Sequence, residues 1–173
     1  MATANNLAPD LYQFLETIAL HGGTAPDPTT GAMLTPIYQT TTYRQPAVGE
    51  HKGYTYSRSG NPTVTALEGR LAAIEEAEFA TAYVTGLAAT TVLCLALLKA
   101  GDRVVLSQAG YGGTVRLLKQ VLAQFGVESD FIDTSDSDAL ILALREPAKF
   151  LFIETPANPT LKLTDIELAA RLS

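Results

Sequence analysis

Residues 80–106 read ATAYVTGLAATTVLCLALLKAGDRVVL. The stretch opens on a short apolar run, residues 80–84, of strand length. Gly86 then starts a helix expected over residues 87–100, apolar nearly all round, which is the composition of a helix buried on every side. Gly101 and Asp102 turn the chain, and residues 103–106 make a second strand. Strand, helix, strand is the parallel βαβ unit, and it sets the fold class as α/β.

The same alternation continues toward the C-terminus. A third helix is expected from Gly113 to Phe125, with Leu118, Val121, Leu122 and Phe125 on its inward face and Gly126 as its stop. Residues 128–132 read as a strand, 137–144 as a short helix and 149–154 as another strand. Thr164 and Glu167 have capping-box spacing, so Thr164 is expected to cap a last helix. That helix reaches Ser173 before any stop signal, so the sequence is expected to be the first part of a longer protein.

Toward the N-terminus the pattern changes. Asn61 is a good N-cap and Pro62 suits the first helical position. Val64, Leu67, Leu71 and Ile74 then recur at helical spacing to about residue 77. Before Asn61, glycines and prolines break any long helix, and only Phe14, Leu15, Ile18 and Leu20 could share a short one. Residues 1–60 are therefore expected to be an extended arm, and residues 61–173 the start of the α/β domain.

Composition narrows the function. Of 173 residues, 47% are hydrophobic, enough for a packed core. The net charge of -6, with no basic run, argues against nucleic acid and anionic membranes as partners. The single cysteine, Cys94, excludes a disulfide framework, and it reads as a small buried hydrophobe. Residues 1–10 lack a signal-peptide pattern and no apolar run is long enough to span a bilayer, so a cytoplasmic location is expected. His21 and His51 have no partners at metal-ligand spacing, so no metal is expected. There is no Walker A, no G-x-S-x-G and no G-x-G-x-x-G after a strand.

In parallel α/β sheets, ligands bind beyond the carboxyl ends of the strands. After residues 80–84 come Thr85, Gly86 and Leu87 at a helix N-terminus, where free N–H groups would suit a phosphate or simply turn the chain. After residues 103–106, Tyr111 lies among glycines and could stack on a flat ring or cover the sheet edge. After residues 149–153 come Glu154 and then Asn158 between Pro156 and Pro159. The Asn158 amide could meet a ligand, or the loop could be a stiff connector. Tyr56 and Arg58 fall on one side of what reads as an extended segment; they could take a phosphate or carboxylate, or form a solvated pair.

Taken in order, TGAMLTPIYQTTTY (30–43), YTYSRSGNPT (54–63), TGLAA (85–89), AGDRVV (100–105), YGGT (111–114) and IETPANPTL (153–161) resemble the Cys/Met-metabolism, or transsulfuration, enzymes dependent on pyridoxal 5'-phosphate (PLP). The likeness covers nearly the whole chain. It implies the aspartate-aminotransferase type of PLP fold, fold type I, present in part. It implies PLP as cofactor, with Thr85, Gly86 and Leu87 at its phosphate and Tyr111 stacked on its ring and acting on substrate protons. It also implies Asn158 at the ring's 3'-oxygen and Glu154 behind the loop. Tyr56 and Arg58 would reach the phosphate in a neighbouring subunit of a homotetramer built as a dimer of dimers. The implied substrates are sulfur amino acids or homoserine esters, by β- or γ-elimination or γ-replacement, of the cystathionine γ-synthase or γ-lyase type. Gly113 stands where methionine γ-lyases carry Cys.

The family's Schiff-base lysine comes from a later segment, and Lys52, Lys99, Lys119, Lys149 and Lys162 do not occupy its motif. The chain alone is therefore expected to lack transsulfuration activity. The competing expectation is a non-catalytic paralogue acting as an interaction or oligomerisation module.

Overall fold

The structure, a computed structural model, describes residues 14–173. The segment over residues 1–10, read above as lacking a signal peptide, lies outside them. The described residues divide into two compact units, one ending at Ala82 and one running Tyr83–Ser173.

In the first unit, α1 (Leu15–His21) packs on α2 (Pro62–Ile74). Just past α1 the chain comes close to α2 because both sides are glycine: a Cβ on Gly23 would lie 1.9 Å from the Gly69 carbonyl oxygen, and one on Gly69 2.6 Å from that of Gly23. Asn61 caps α2 as expected, its side chain accepting from the Thr63 N–H at 2.9 Å, with Pro62 at the first position. The same turn fastens the preceding chain. Tyr38 N–H donates to Thr63 Oγ1 at 2.9 Å, and Asn61 Nδ2 to the Tyr38 carbonyl at 3.0 Å.

The second unit begins with α3 (Gly86–Leu97) and is built on a three-stranded parallel sheet. Its strands are β1 (Arg103–Ser107), β2 (Glu128–Ile132) and β3 (Phe150–Phe152), in the order β2-β1-β3. Val104 pairs with Ser129 on one side and Phe150 on the other. The helical segment between β1 and β2 begins as α4 (Gly112–Arg116), and α5 (Ser137–Ala143) joins β2 to β3. After β3 the chain closes with α6 (Ile166–Leu172).

The core forms where the central strand meets two helical segments: Val104, Leu106, Leu118, Leu122, Val127 and Cys94 are buried together. Each such Val or Leu contributes about 1.5–3 kcal/mol. The exposed pair Arg171–Glu167, 3.2 Å apart, is worth only about 0.3–0.5 kcal/mol. Packing, not surface charge, holds the unit. One polar tie adds to it: Arg103 donates from Nε to Asp130 at 2.8 Å and from its two terminal nitrogens to the Glu146 and Ala143 carbonyls, both at 3.0 Å. This joins β1 to β2 and to the end of α5.

Several expectations are corrected. Residues 80–84 pair with no described strand, so that apolar run is extended chain without a ladder, and Val84 is 96% exposed. The helix expected at residues 87–100 forms as α3 but is not buried all round. Only Cys94 is fully covered, and Leu95 is 64% exposed, because one face packs on the core and none of the described chain covers the other. The third helix is not uniform. α4 widens into a π turn at Leu117–Val121 and tightens to a 3-10 turn at Leu122–Phe125 before Gly126 stops it at φ 80°. The wide turn rotates the inward face, so Leu117, Leu118 and Leu122 are buried while Val121 and Phe125 face out. The strand expected at 149–154 pairs only over Phe150–Phe152.

Thr164 does not cap α6. Asp165 does, accepting from the Leu168 N–H at 2.9 Å, and Thr164 is buried with its hydroxyl turned to Thr134. Nor does one extended segment carry both Tyr56 and Arg58: Tyr56 is bridged to Thr42, but residues 57–59 form a turn, closed by the Ser59 N–H to the Tyr56 carbonyl at 3.0 Å.

Candidate functional site

A cavity of about 580 Å³ opens beyond the carboxyl ends of β1 and β3, lined by Thr85, Gly86, Leu87, Thr90, Tyr111, Thr114, Phe152 and Glu154. Five of the sequence candidates thus meet in one place, three from the start of α3 and one each from the turns after β1 and β3.

Thr85, Gly86 and Leu87 come from the start of α3. Thr85 is the N-cap, and its hydroxyl oxygen accepts from the Ala88 N–H at 3.0 Å. The Ala89 N–H donates to the Thr85 carbonyl at 3.1 Å. The N–H groups of Gly86 and Leu87 have no partner among the described residues, as helix geometry requires for the first turn. A Cβ on Gly86 would meet nothing within 4 Å, so the backbone is open to an approaching group. Two free donors at the positive end of a 12-residue helix could accept an anion.

Tyr111 comes from the turn after β1 and is 60% exposed. It is the residue before α4 and uses no side-chain cap. Its position is set from elsewhere: its N–H donates to Glu154 Oε2 at 2.8 Å, across from the end of β3. Its ring lies against the backbone of Gly113, where an added Cβ would stand 2.3 Å from Tyr111 Cε1.

Asn158 does not line the cavity. It is exposed, next to the buried Ala157, in a loop closed by the Ala157 N–H to the Lys162 carbonyl at 3.0 Å. Tyr56 and Arg58 belong to the first unit. There the Arg58 guanidinium sits 4.7 Å from the Tyr56 ring centroid, a cation–π contact.

Sequence reasoning missed Thr90, Thr114 and Phe152. A signal existed for the first two. Thr90 follows Gly86 by four residues, one helical turn, and its hydroxyl donates to the Gly86 carbonyl at 3.0 Å. Thr114 follows Tyr111 by three residues and is buried. Phe152 gave none, because a residue inside a strand reaches a cavity only through the sheet's own placement.

Chemically, the cavity offers free backbone donors at one end, a planar aromatic at another and apolar wall from Leu87 and Phe152. A flat ring bearing a phosphate, such as PLP, fits that set. No lysine is among the residues lining it. Among the described residues, no group of three His, Cys, Asp or Glu side chains could hold a metal, and no helix is long and apolar enough to cross a membrane.

A family model described as Cys/Met metabolism PLP-dependent enzyme matches residues 16–173. The chain is 47% identical over 157 residues to a probable cystathionine gamma-synthase of Herpetosiphon aurantiacus, covering 91% of this chain and 49% of that protein. It is 46% identical over 158 residues to the cystathionine gamma-lyase of Bacillus subtilis (strain 168), covering 91% of this chain and 41% of the relative. Among solved structures, metB from Corynebacterium glutamicum superposes with a TM-score of 0.85 at 42% identity, over 96% of this chain and 43% of that one. The cystathionine gamma-lyase from Lactobacillus plantarum complexed with L-serine gives 0.80 at 39% identity, over 92% and 41%. The chain thus spans less than half the length of each of these relatives. With the motif order, the parallel sheet and the match over residues 16–173 in agreement, the chain belongs to the Cys/Met metabolism family of PLP-dependent enzymes.

Proposed function

We propose that this chain forms the phosphate-holding and ring-covering wall of a PLP site in a transsulfuration enzyme of the cystathionine γ-synthase or γ-lyase type. One observation carries the reading: the free N–H groups of Gly86 and Leu87 open into the same cavity as the exposed ring of Tyr111.

In this reading the two N–H groups and the α3 dipole bind the phosphate, with the Thr85 hydroxyl beside them. Tyr111 covers one face of the pyridine ring and excludes water from it, and its phenol is placed to move a proton on the substrate. Glu154 fixes the Tyr111 backbone through its 2.8 Å bond, and Asn158 serves the ring's 3'-oxygen. Tyr56 and Arg58 serve the phosphate in a neighbouring subunit of a homotetramer. PLP, when bound, supplies an electron sink for the bond broken in the amino-acid substrate. The substrates are sulfur amino acids or homoserine esters, handled by β- or γ-elimination or γ-replacement in the cytoplasm.

The test is a titration of the chain with PLP and with pyridoxal, which lacks the phosphate. PLP binding at least tenfold tighter supports the reading, and equal affinities refute it. Intact mass after borohydride reduction reads whether a lysine of this chain holds the aldehyde. No adduct is expected, since no lysine lines the cavity.

A second reading draws on the exposed side chains of α3, among them Leu93, Leu95 and Leu97. Apolar surface of this kind suits a non-catalytic module that associates with a full-length relative. A chain that stays monomeric by light scattering, alone and mixed with such a relative, rules it out.

A further inference from the structure

The loop after β3 carries Glu154 and Asn158; Glu154 reaches the Tyr111 backbone and Ala157 is buried, but between Thr155 and Thr164 its backbone bonds are few. Pro156, Asn158, Pro159 and Thr160 are exposed. The Ala157 N–H to the Lys162 carbonyl and the Leu161 N–H to the Ala157 carbonyl, at 3.0 and 2.6 Å, close the loop only on itself.

The fastening comes from the turn after β2. The hydroxyls of Thr134 and Thr164 are 2.7 Å apart, and the two residues are 4% and 8% exposed. The Thr164 N–H donates to Thr155 Oγ1 at 3.0 Å. One residue before Thr134, Asp133 forms an ion pair with Lys162 and accepts from the Ser135 N–H at 3.1 Å. Thr155 stands at the start of the loop, and Lys162 and Thr164 at its end. Both ends are therefore tied, directly or through Thr164, to the dipeptide Asp133-Thr134. That dipeptide follows Ile132, which is registered against Ser107 of the central strand.

We infer that Asp133, Thr134, Thr155, Lys162 and Thr164 form a clamp that positions the loop carrying Glu154 and Asn158 for the cofactor ring. They are positioning residues that act through the loop. The inference rests on the cofactor reading above. Its physical basis is that two buried hydroxyls must satisfy each other, which fixes their separation. A loop tied at both ends to the residues that follow a registered strand takes on that strand's rigidity.

The experiment uses the 173-residue chain with Thr164→Val, which keeps shape and strands the Thr134 hydroxyl, and Thr164→Ser, which keeps the bond. Amide hydrogen exchange is read at Ala157 and Leu161, with Val104 to Leu106 as the core reference. PLP and inorganic phosphate are titrated in parallel. For Thr164→Val, exchange at the two loop amides should speed about tenfold, as expected for losing a buried bond, with the core unchanged. PLP should bind about threefold to tenfold more weakly with phosphate binding unchanged, and Thr164→Ser should restore both. Unchanged loop exchange, or acceleration spread equally over the core, overturns the clamp. Faster loop exchange with unaltered PLP affinity overturns the positioning role. A parent chain that does not take up PLP overturns the cofactor reading and the role with it, and the exchange data separate that failure from a failure of the clamp.

Discussion

Replacing Gly113 with alanine should loosen PLP binding without unfolding the chain. The backbone at Gly113 is not in the left-handed region, so alanine fits its conformation. The added Cβ would lie 2.3 Å from Tyr111 Cε1 and 3.0 Å from Cδ1 and Cζ, and no atom outside that side chain is nearer. Ordinary carbon contacts are about 3.5–4.0 Å, so the ring must retreat by more than an ångström. It is free to do so: it is 60% exposed, and its hydroxyl has no partner among the described residues. The backbone tie to Glu154 does not involve the ring. The fold should therefore be held or slightly gained, since alanine in a helix is favoured over glycine by about 0.5–1 kcal/mol. What is lost is stacking, worth about 0.5–1.5 kcal/mol for an aromatic pair, or about twofold to twelvefold in affinity. Thermal unfolding and parallel titrations with PLP and inorganic phosphate read both effects. Unchanged PLP affinity, or an equal loss for phosphate, would refute the claim that the ligand senses the Tyr111 ring.

Thr85→Ala removes the cap bond to the Ala88 N–H and should cost about 1 kcal/mol in urea unfolding. Phosphate binding should survive, because the Gly86 and Leu87 donors are backbone; a variant as stable as the parent would show that the cap does not matter. Acid should act through Asp133. The Lys162 ammonium, and then Ser135, hold the Asp133 carboxyl at about 2, below its ordinary 3.8. A depressed folded value means the contribution is complete above about pH 4 and is lost as pH falls toward 2. Stability followed through that window should drop in the parent and drop less in Asp133→Asn; parallel curves would refute it.

Local rules were legible where they were self-contained. Asn61-Pro62 starts a helix wherever it lies, Gly126 stops one, and residues 128–132 form the expected strand. The donor end of the cavity was legible too, because a helix N-terminus leaves N–H groups free by geometry alone. What failed depended on neighbours. Residues 80–84 have strand composition, but a strand needs a ladder partner, and no run of side chains shows whether one is at hand. Thr164 and Asp165 are both good caps by type; a buried hydroxyl on Thr134 claims the first and leaves the second to the helix. Periodicity placed Val121 and Phe125 inward because it assumed a uniform helical turn, which the π turn at Leu117–Val121 breaks. Asn158 lies exposed in the loop after β3 and outside the cavity lining, a placement that no local sequence signal gives.

The sheet order has a consequence for how the site comes into being. β1 is central, yet it is the first of the three strands in the sequence, so both neighbours must find it after it has been made. Tyr111 follows β1 within a few residues, but Glu154, which holds its backbone, is 43 residues further on. Closing a loop of that size costs chain entropy, and contacts of long sequence separation form late. The anion end at Gly86 can exist as soon as α3 folds. The aromatic end has to wait for β3, so a folding chain presents its free N–H groups before the Tyr111 side of the cavity is set.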